Sequence, residues 1–428
     1  MELRAVKGMN DVLPADMAAW HRLEQAYARA LTLHGFREVR TPLVESTPLY
    51  VRTVGETTDI VEKEMYSFTF HDEALTLRPE GTAGAARAYV EHKVHDKEPV
   101  TRWYYAGAMF RGERPARGRY RQFFQAGAEI FGDRGPGCDA ELIDMAAGFV
   151  RDLGIKDAVV YLSSIGSGDT RARYKAALLE YLEPKKEGLS TESQRRLGIN
   201  PLRILDSKSP ADQEIVRFAP SMIDHLTDDD KAHFDGLRRM LDVLGTPYEV
   251  DPRLIRGLDY YTRTLFEIKG AADKLGAGST LIAGGRYDGM VADLGGPSVP
   301  AIGFAAGMER LIIAAASTAP GPVSDVLVAP LGDRAMGPAL VLARDLRRLG
   351  LVAVADTRGG SLKSQLRRAN DLGARFVCIL GDAELDKSTV MLKDLAGHAQ
   401  EEIARDVVTN IVAARLAASG AAHPQGQL

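Results

Sequence analysis

MFRGERPARGRYRQFFQAGAEIF, residues 109–131, is the stretch whose reading decides the fold. Five arginines, at positions 111, 114, 117, 119 and 121, crowd a segment that also holds Gly112, Pro115 and Gly118. The runs on either side alternate. Upstream, Tyr105, Gly107, Met109 and Arg111 interleave with Tyr104, Ala106, Ala108 and Phe110. Downstream, Phe123, Gln125, Gly127 and Glu129 interleave with Phe124, Ala126, Ala128 and Ile130. A period of two puts each set on one face of a sheet. One downstream face is wholly apolar and suits a core. The other carries a ring, an amide and a carboxylate over a floor that glycine keeps low. Two strands around a Gly/Pro-containing segment predict an antiparallel hairpin with a long loop. Polar groups under a guanidinium-rich loop suit an anionic ligand with several phosphates. A solvated basic turn on an ordinary sheet is the alternative that this stretch alone leaves open.

At 428 residues the chain has room for two or three domains. Its 26% charged and 45% hydrophobic residues are those of a globular protein. A net charge of −4 and a pI near 6.2 exclude a general positive field, so any polyanion must be met by local patches. The two cysteines form no disulfide framework or zinc spacing: Cys378 lies in the apolar run FVCIL, and Cys138 follows GPG at a helix start. His92 and His95 lack further ligands nearby and read as surface residues, so no metal site is expected. No stretch resembles a signal peptide or a continuous apolar span, and the expected location is the cytoplasm with no membrane association.

Taken in order, Leu13–His34 predicts a helix whose stripe is Trp20, Leu23, Tyr27, Ala30 and Leu31. FREVRTPLVES (36–46) reads as extended chain, with Pro42 confining it to an edge or an interface. Leu75–Leu77 is a short strand running into Arg78-Pro79-Glu80-Gly81-Thr82, with Thr82 the expected N-cap of a helix to His92. Glu80 beside a fresh helix start can hold an ammonium by charge; a plain capped turn explains the pattern equally well. Asp139 is the expected cap of a helix to Leu153. From about 168 to 245 the pattern is helical and charged, with prolines at 184, 201, 210 and 220, and predicts an inserted helical subdomain. Sheet patterning returns with Leu265–Ile268. AGGRYDG (283–289) has the glycine density of a loop whose backbone approaches a ligand, and Gly303–Ala315 predicts a helix that brings Arg310 near whatever it covers. Residues 317–323 read as a linker after a first domain of 1–316. A compact α/β module with a largely parallel sheet follows at 324–416, closing with a helix from about Gln400, and 417–428 reads as a disordered tail. On one helix of the module Lys363, Arg367 and Arg368 are spaced to cluster, as a solvated face or, with the resemblance given below, as an expected tRNA contact.

With these pieces in place the chain resembles the histidyl-tRNA synthetases of class II, over about residues 5–410. LRPEGTAG, FRGERPARGRYRQFFQAGAEIFG, RGLDYYTRTLFE, AGGRYDGM and GFAAGMERL occur in that order. The second and last resemble class II motifs 2 and 3, and RGLDYY and GGRYDG the two stretches peculiar to the histidine enzymes. The resemblance implies an α+β catalytic domain, an antiparallel sheet with flanking helices and a helical insertion, followed by a C-terminal α/β anticodon-binding domain. It implies a homodimer with the Leu13–Ser46 region at its interface, and the substrates L-histidine, ATP with Mg²⁺, and tRNA(His). Ala116 stands where many relatives have glutamine, in a loop expected to touch the tRNA acceptor end.

The resemblance also implies roles. Arg111 and Arg256 would hold the α-phosphate from opposite sides and are the expected catalytic pair. Glu113 is expected at the adenine amino group, Phe123 on the adenine ring, Arg310 on the γ-phosphate, with Arg119 and Arg121 completing the ATP set. Glu129 and Tyr261 would bond the imidazole nitrogens, Glu80 and Thr82 the α-amino group, while Gln125, Tyr260 and Tyr287 line the pocket. Two rivals share the fold: the non-catalytic regulatory subunit of ATP phosphoribosyltransferase, and a class II synthetase for threonine, proline or glycine. The presence of Arg256, Arg310 and the C-terminal module argues against the first, and RGLDYY with GGRYDG against the second.

Overall fold

The computed structural model describes residues 3–56, 58–205, 207–254, 258–271, 275, 279–315 and 323–418. Two compact units divide the chain, Met1–Thr318 and Ala319–Leu428. All but residue 323 of the expected linker, and residues 419–428 of the expected tail, lie outside the described residues.

In the first unit α1 (Met17–Leu33) buries Trp20, Leu23, Tyr27 and Leu31, the predicted stripe. It starts later than the expected Leu13, because residues 13–16 close a turn and Leu13 stays exposed, off the buried stripe. Pro42 then splits the expected single extended stretch into β1 (Arg37–Glu38) and β2 (Val44–Ser46), edge strands of two different sheets. After α2 (Thr47–Val54) come β3 (Tyr66–Phe70) and β4 (Glu73–Leu77), giving a small antiparallel sheet in the order β2-β4-β3. α3 (Thr82–Glu91) leads to the predicted hairpin, β5 (Thr101–Phe110) and β6 (Gln122–Phe131), then to α4 (Pro136–Asp152) and β7 (Val159–Ser164).

The insert follows: α5 (Gly168–Leu182), α6 (Thr191–Ile199) and α7 (Pro210–Val216) pack around Tyr174, Leu178, Leu182, Leu197 and Ile204. Pro184, Pro201 and Pro210 stand at the first turns of helical segments, where a missing N–H costs nothing. The next helix, α8 (Asp228–Leu244), departs from the expected grouping. Its Phe234, Leu237 and Leu241 are buried in the cluster that contains α4, so it belongs to the main core rather than to the insert.

β8 (Tyr248–Val250), β9 (Thr262–Lys269), β10 (Thr280–Arg286), α9 (Met290–Asp293), β11 (Ala301–Gly307) and α10 (Met308–Ala314) complete the unit. The large sheet runs β1-β5-β6-β11-β10-β9-β7-β8, antiparallel except at its two edge pairs. Two expectations are corrected here. Gly303–Ala315 is not one helix: residues 301–307 form the strand between β6 and β10, and only Met308–Ala314 is helical. Its small residues serve a crowded central strand, not the helix packing they suggest in sequence. AGGRYDG is likewise no loop at its start, since Gly284 and Gly285 lie within β10. A Cβ on Gly284 would meet the Gly303 carbonyl at 2.3 Å, and one on Gly285 the Thr264 carbonyl at 2.3 Å. These glycines admit neighbouring strands, not a ligand.

Alternation then sorts the sheet. Ala126, Ala128, Ile130, Ile282, Ile302 and Ala306 face α1, α4 and α8 in one apolar cluster. Truncating Ile130 to alanine there costs about 2–5 kcal/mol. The opposite face is left for the site.

The second unit contains β12 (Val326–Pro330), α11 (Asp333–Arg348), β13 (Ala353–Ala355), α12 (Leu362–Asp371), β14 (Phe376–Leu380), α13 (Asp382–Lys387), β15 (Thr389–Asp394), β16 (Gln400–Ala404) and α14 (Val408–Ala418). Its sheet, β13-β12-β14-β15-β16, is parallel over the first three strands and antiparallel beyond them. Gln400 therefore opens an edge strand, not the closing helix: only Ile403 of that strand is buried, and the helical stripe Val408, Val412, Leu416 starts later. On α12, Lys363 and Arg367 are exposed, whereas Arg368 turns inward to the Asp356 carboxylate and the Gly359 carbonyl. Cys378 is core, its thiol pushed up to about 12 by burial.

Candidate active site

A cavity of about 330 Å³ lies on the face of the large sheet opposite α1 and α4, within the usual range of small-molecule sites. Gly303, Ala305 and Gly307 of β11 and Ala283 of β10 make a low floor. Glu80 and Thr82 stand at the walls with Tyr260, Tyr261 and Tyr287; Arg111, Glu113, Arg119, Phe123, Gln125, Glu309 and Arg310 also line it. Sequence segments separated by as much as 230 positions meet because β6, β11 and β10 are neighbours in the sheet.

At one end a turn and a strand cooperate. Glu80, rather than Thr82, caps α3: its carboxylate accepts the backbone N–H groups of Thr82 and Ala83, each at 2.8 Å. Thr82, the first helical residue and not the predicted cap, has its hydroxyl free of that duty and donates to Glu129 at 2.8 Å. Burial raises Glu80 above the ordinary carboxylate range despite those two bonds. Glu129 lies one layer beneath the wall and is wholly buried. Hydroxyls surround it, with Tyr105 at 2.9 Å and Tyr287 at 2.5 Å joining Thr82. Burial outweighs all three donors and pushes its carboxyl up to about 8. Gly303, directly across the ladder, is required there: a Cβ would fall 1.6 Å from a Glu129 carboxylate oxygen.

Tyr105 escaped the sequence reading. Its ring overlies Gly127, its cross-strand partner, and Gly81, where added Cβ atoms would approach to 2.3 and 2.1 Å. Gly127 thus makes room for Tyr105 instead of lowering the floor for a ligand, as expected. The signal was present in the hairpin register, which sets Tyr105 opposite Gly127.

At the other end Arg111 extends the hairpin by one residue, its N–H donating to the Arg121 carbonyl at 2.9 Å. The side chain donates to the Pro79 carbonyl at 2.8 Å, and its guanidinium lies 5.3 Å from the Phe123 ring centroid. Arg119 pairs with Glu113 at 3.5 Å. Arg310 ties the loop to β10, donating to the Gly118 and Thr280 carbonyls at 3.0 Å each. Arg121 does not line the cavity; it donates to the Glu113 carbonyl at 3.4 Å and supports the loop. Arg256 lies outside the described residues. Glu309, not singled out from sequence, accepts the Phe124 N–H at 2.9 Å, and burial pushes its carboxyl up to about 7.

Behind the sheet, Arg286 of the GGRYDG stretch points away from the cavity and is bound to Asp139 at 2.6 Å. Asp139, expected as a helix cap, instead sits inside α4 with no exposed surface; the N-cap is Gly135.

A family model described as Histidyl-tRNA synthetase matches residues 8–311, and one described as Anticodon binding domain matches residues 325–415. A protein of Sorangium cellulosum (strain So ce56) named Histidine--tRNA ligase is 60% identical over 415 residues, 97% of each chain. The apo histidyl-tRNA synthetase structure of S. aureus superposes with a TM-score of 0.82 at 34% identity, covering 96% of this chain and 100% of that one. A Bacillus halodurans structure described as an ATP phosphoribosyltransferase regulatory subunit/histidyl-tRNA synthetase shares the fold, with a TM-score of 0.66 at 21% identity over 89% of this chain and 99% of its own.

Proposed function

The chain belongs to the histidyl-tRNA synthetase family, and on that premise we propose that histidine and ATP meet in the cavity described above. The protein is a histidine–tRNA ligase, an enzyme that joins histidine to tRNA(His) through histidyl-adenylate at the expense of ATP, and not the regulatory subunit. One observation carries the assignment of the site. A single cavity holds Arg111 and Phe123 together with Glu80, Thr82, Tyr261 and Tyr287.

The first step needs no protein nucleophile, because the histidine carboxylate attacks the α-phosphorus itself. It needs in-line positioning and neutralisation of the charge on the phosphate oxygens. Arg111 supplies the positive charge; Arg256 would oppose it. Phe123 offers a face for adenine, Glu113 accepts from its amino group, and Arg310 takes the γ-phosphate, with Arg119 nearby. Arg121 acts through the loop it braces. Mg²⁺ would enter with the triphosphate: among the described residues no group of three or more His, Cys, Asp or Glu gathers to hold a metal.

At the other end Glu80 and Thr82 face the α-amino group, while Tyr260, Tyr261 and Gln125 border the imidazole. Glu129 acts from below, through the Tyr287 and Thr82 hydroxyls or by direct contact once histidine draws it forward. A buried acceptor left unpaired by a wrong side chain rejects it without editing.

The Lys363 and Arg367 face of the second unit is proposed to meet the anticodon. The exposed apolar residues Leu33, Leu43, Val44, Phe68 and Phe70 suit a homodimer interface near the Leu13–Ser46 region. A cytoplasmic location accords with this activity, and no described helix is long and apolar enough to cross a membrane. The test is histidine-dependent ATP–pyrophosphate exchange. Arg111→Ala is expected to lower kcat by about 2–4 kcal/mol of transition-state stabilisation; an unchanged kcat would remove Arg111 from the α-phosphate.

A further inference from the structure

The segment Leu258–Tyr261 runs between the strands that form the site and the helical insert, and both sides grip it. Asp259 is its anchor. Its carboxylate receives the Arg203 guanidinium of the insert at 3.0 Å, and its carbonyl accepts from Arg171 of α5 at 3.3 Å. Its own N–H donates to the Val54 carbonyl at the end of α2, at 3.3 Å. Gly55, at φ +103°, clears the space, for a Cβ there would lie 2.7 Å from the Asp259 carboxylate.

Two residues on, Tyr261 faces two ways. It lines the cavity, yet it is buried in the same apolar cluster as Leu178, Leu197 and Ile204 of the insert. A second, small cavity of about 30 Å³ lies behind it, bordered by Arg171 and Arg203. One wall of the site is therefore the outer surface of the insert's own core. The other charged contacts from this part of the insert are looser: Arg195 is 4.0 Å from Glu62 and Arg196 3.9 Å from Asp59. Arg203 and Asp259 are the shielded pair, with side chains 13% and 30% exposed.

We propose that Arg203 of the helical insert is a positioning residue for the amino-acid end of the site, holding Asp259 so that Tyr260 and Tyr261 present their rings and hydroxyls at fixed places. The proposal rests on the reading that histidine binds against Tyr261. A planar guanidinium restrains both the distance and the direction of its carboxylate partner, which an ammonium cannot do. Without it Asp259 keeps, among the described residues, the bonds of its carbonyl to Arg171 and of its N–H to Val54. A wall displaced by about 1 Å is enough to spoil recognition of a ring held by directed hydrogen bonds. ATP, at the far end, does not depend on this wall.

The full chain, its Arg203→Ala, Arg203→Lys and Tyr261→Phe variants are compared in ATP–pyrophosphate exchange, with thermal denaturation of each. Arg203→Ala is expected to raise the histidine KM about tenfold while the ATP KM moves less than about twofold, and Arg203→Lys to fall between it and wild type. An equal rise in both KM values overturns the proposal, as does a lowered Tm with both KM values unchanged. If Tyr261→Phe raises the histidine KM and Arg203→Ala does not, the proposal fails while the site reading stands; if neither does, both fail. Should Arg203→Ala not fold, Arg203→Lys carries the test, since a histidine KM equal to wild type refutes a role for the guanidinium.

Discussion

Two carboxylates, Glu129 and Asp139, are equally buried on opposite sides of one sheet and have opposite surroundings. Glu129, on the cavity side, receives the hydroxyls of Thr82, Tyr105 and Tyr287 among the described residues, and its carboxyl is pushed up to about 8 by burial. Asp139, on the core side, receives Arg286 through two nitrogens at 2.6 and 3.0 Å, His233 at 2.9 Å and Thr264 at 2.6 Å. Burial raises Asp139 as well, but His233 and Arg286 win and hold it below the usual range. A carboxylate that ties α4 to the strands is neutralised inside the protein. Glu129 has no ion pair among the described residues, and under the proposed function a donor from the substrate still has something to gain there.

The sharpest way to break this contrast is to remove the cation. Arg286→Ala strands the Asp139 charge and is expected to cost about 3–5 kcal/mol in denaturant unfolding. A loss below 1 kcal/mol would mean that Asp139 is not held as an ion.

Next comes Glu129→Gln. Losing a buried acceptor that bound histidine would hold ionised costs about 1.5–3 kcal/mol of ligand binding, so the histidine KM should rise about tenfold with the ATP KM nearly unchanged. Equal shifts would detach Glu129 from the amino-acid end. The unliganded variant should unfold no more easily than wild type at pH 8, unlike Arg286→Ala.

pH separates the two carboxylates further. Glu129 has a folded value above its unfolded one, so its favourable contribution is complete below about pH 4.5 and is lost as pH rises toward about 8. Unliganded stability should therefore fall across pH 5–8, by up to about 1.4 kcal/mol per pH unit for one proton. Glu309, raised to about 7, adds in the same direction, so Glu129→Gln flattens the slope without abolishing it. Asp139, held low, contributes fully above its unfolded value and loses that contribution only as pH falls through its lower folded value. A stability that climbs from pH 5 to 8 would contradict the assignment.

The smallest effect should come from exposed pairs. Arg334 reaches Asp382 and Asp386 at 3.2 and 3.0 Å, but all three are more than 60% exposed. Arg334→Ala should cost less than about 1 kcal/mol by the same denaturation, setting the baseline against which Arg286 is read.

The hairpin, its apolar face, the insert apart from α8 and half of the residues lining the cavity were legible because each depends on short-range periodicity or on a motif of contiguous residues. Misreadings cluster where one residue answers to a distant neighbour. Thr82 looks like a cap until Glu80 takes that role and Glu129 takes its hydroxyl. Asp139 looks like a cap until Arg286 arrives from a strand 147 positions on. GFAAG looks like tight helix packing until it is seen between two strands.

What the sequence determined by itself was the kind of machine: alternation builds the sheet's two faces, and five ordered motifs name the family. Only the tertiary structure decided which polar groups meet, that Glu129 rests against Gly303 and under Tyr105, that Arg286 turns to the core, and that the insert's Tyr174–Ile204 cluster backs Tyr261. The reason is physical. Hydrophobic period is written in neighbouring residues, whereas the energy of a buried charge depends on partners that only strand order and register bring within 3 Å.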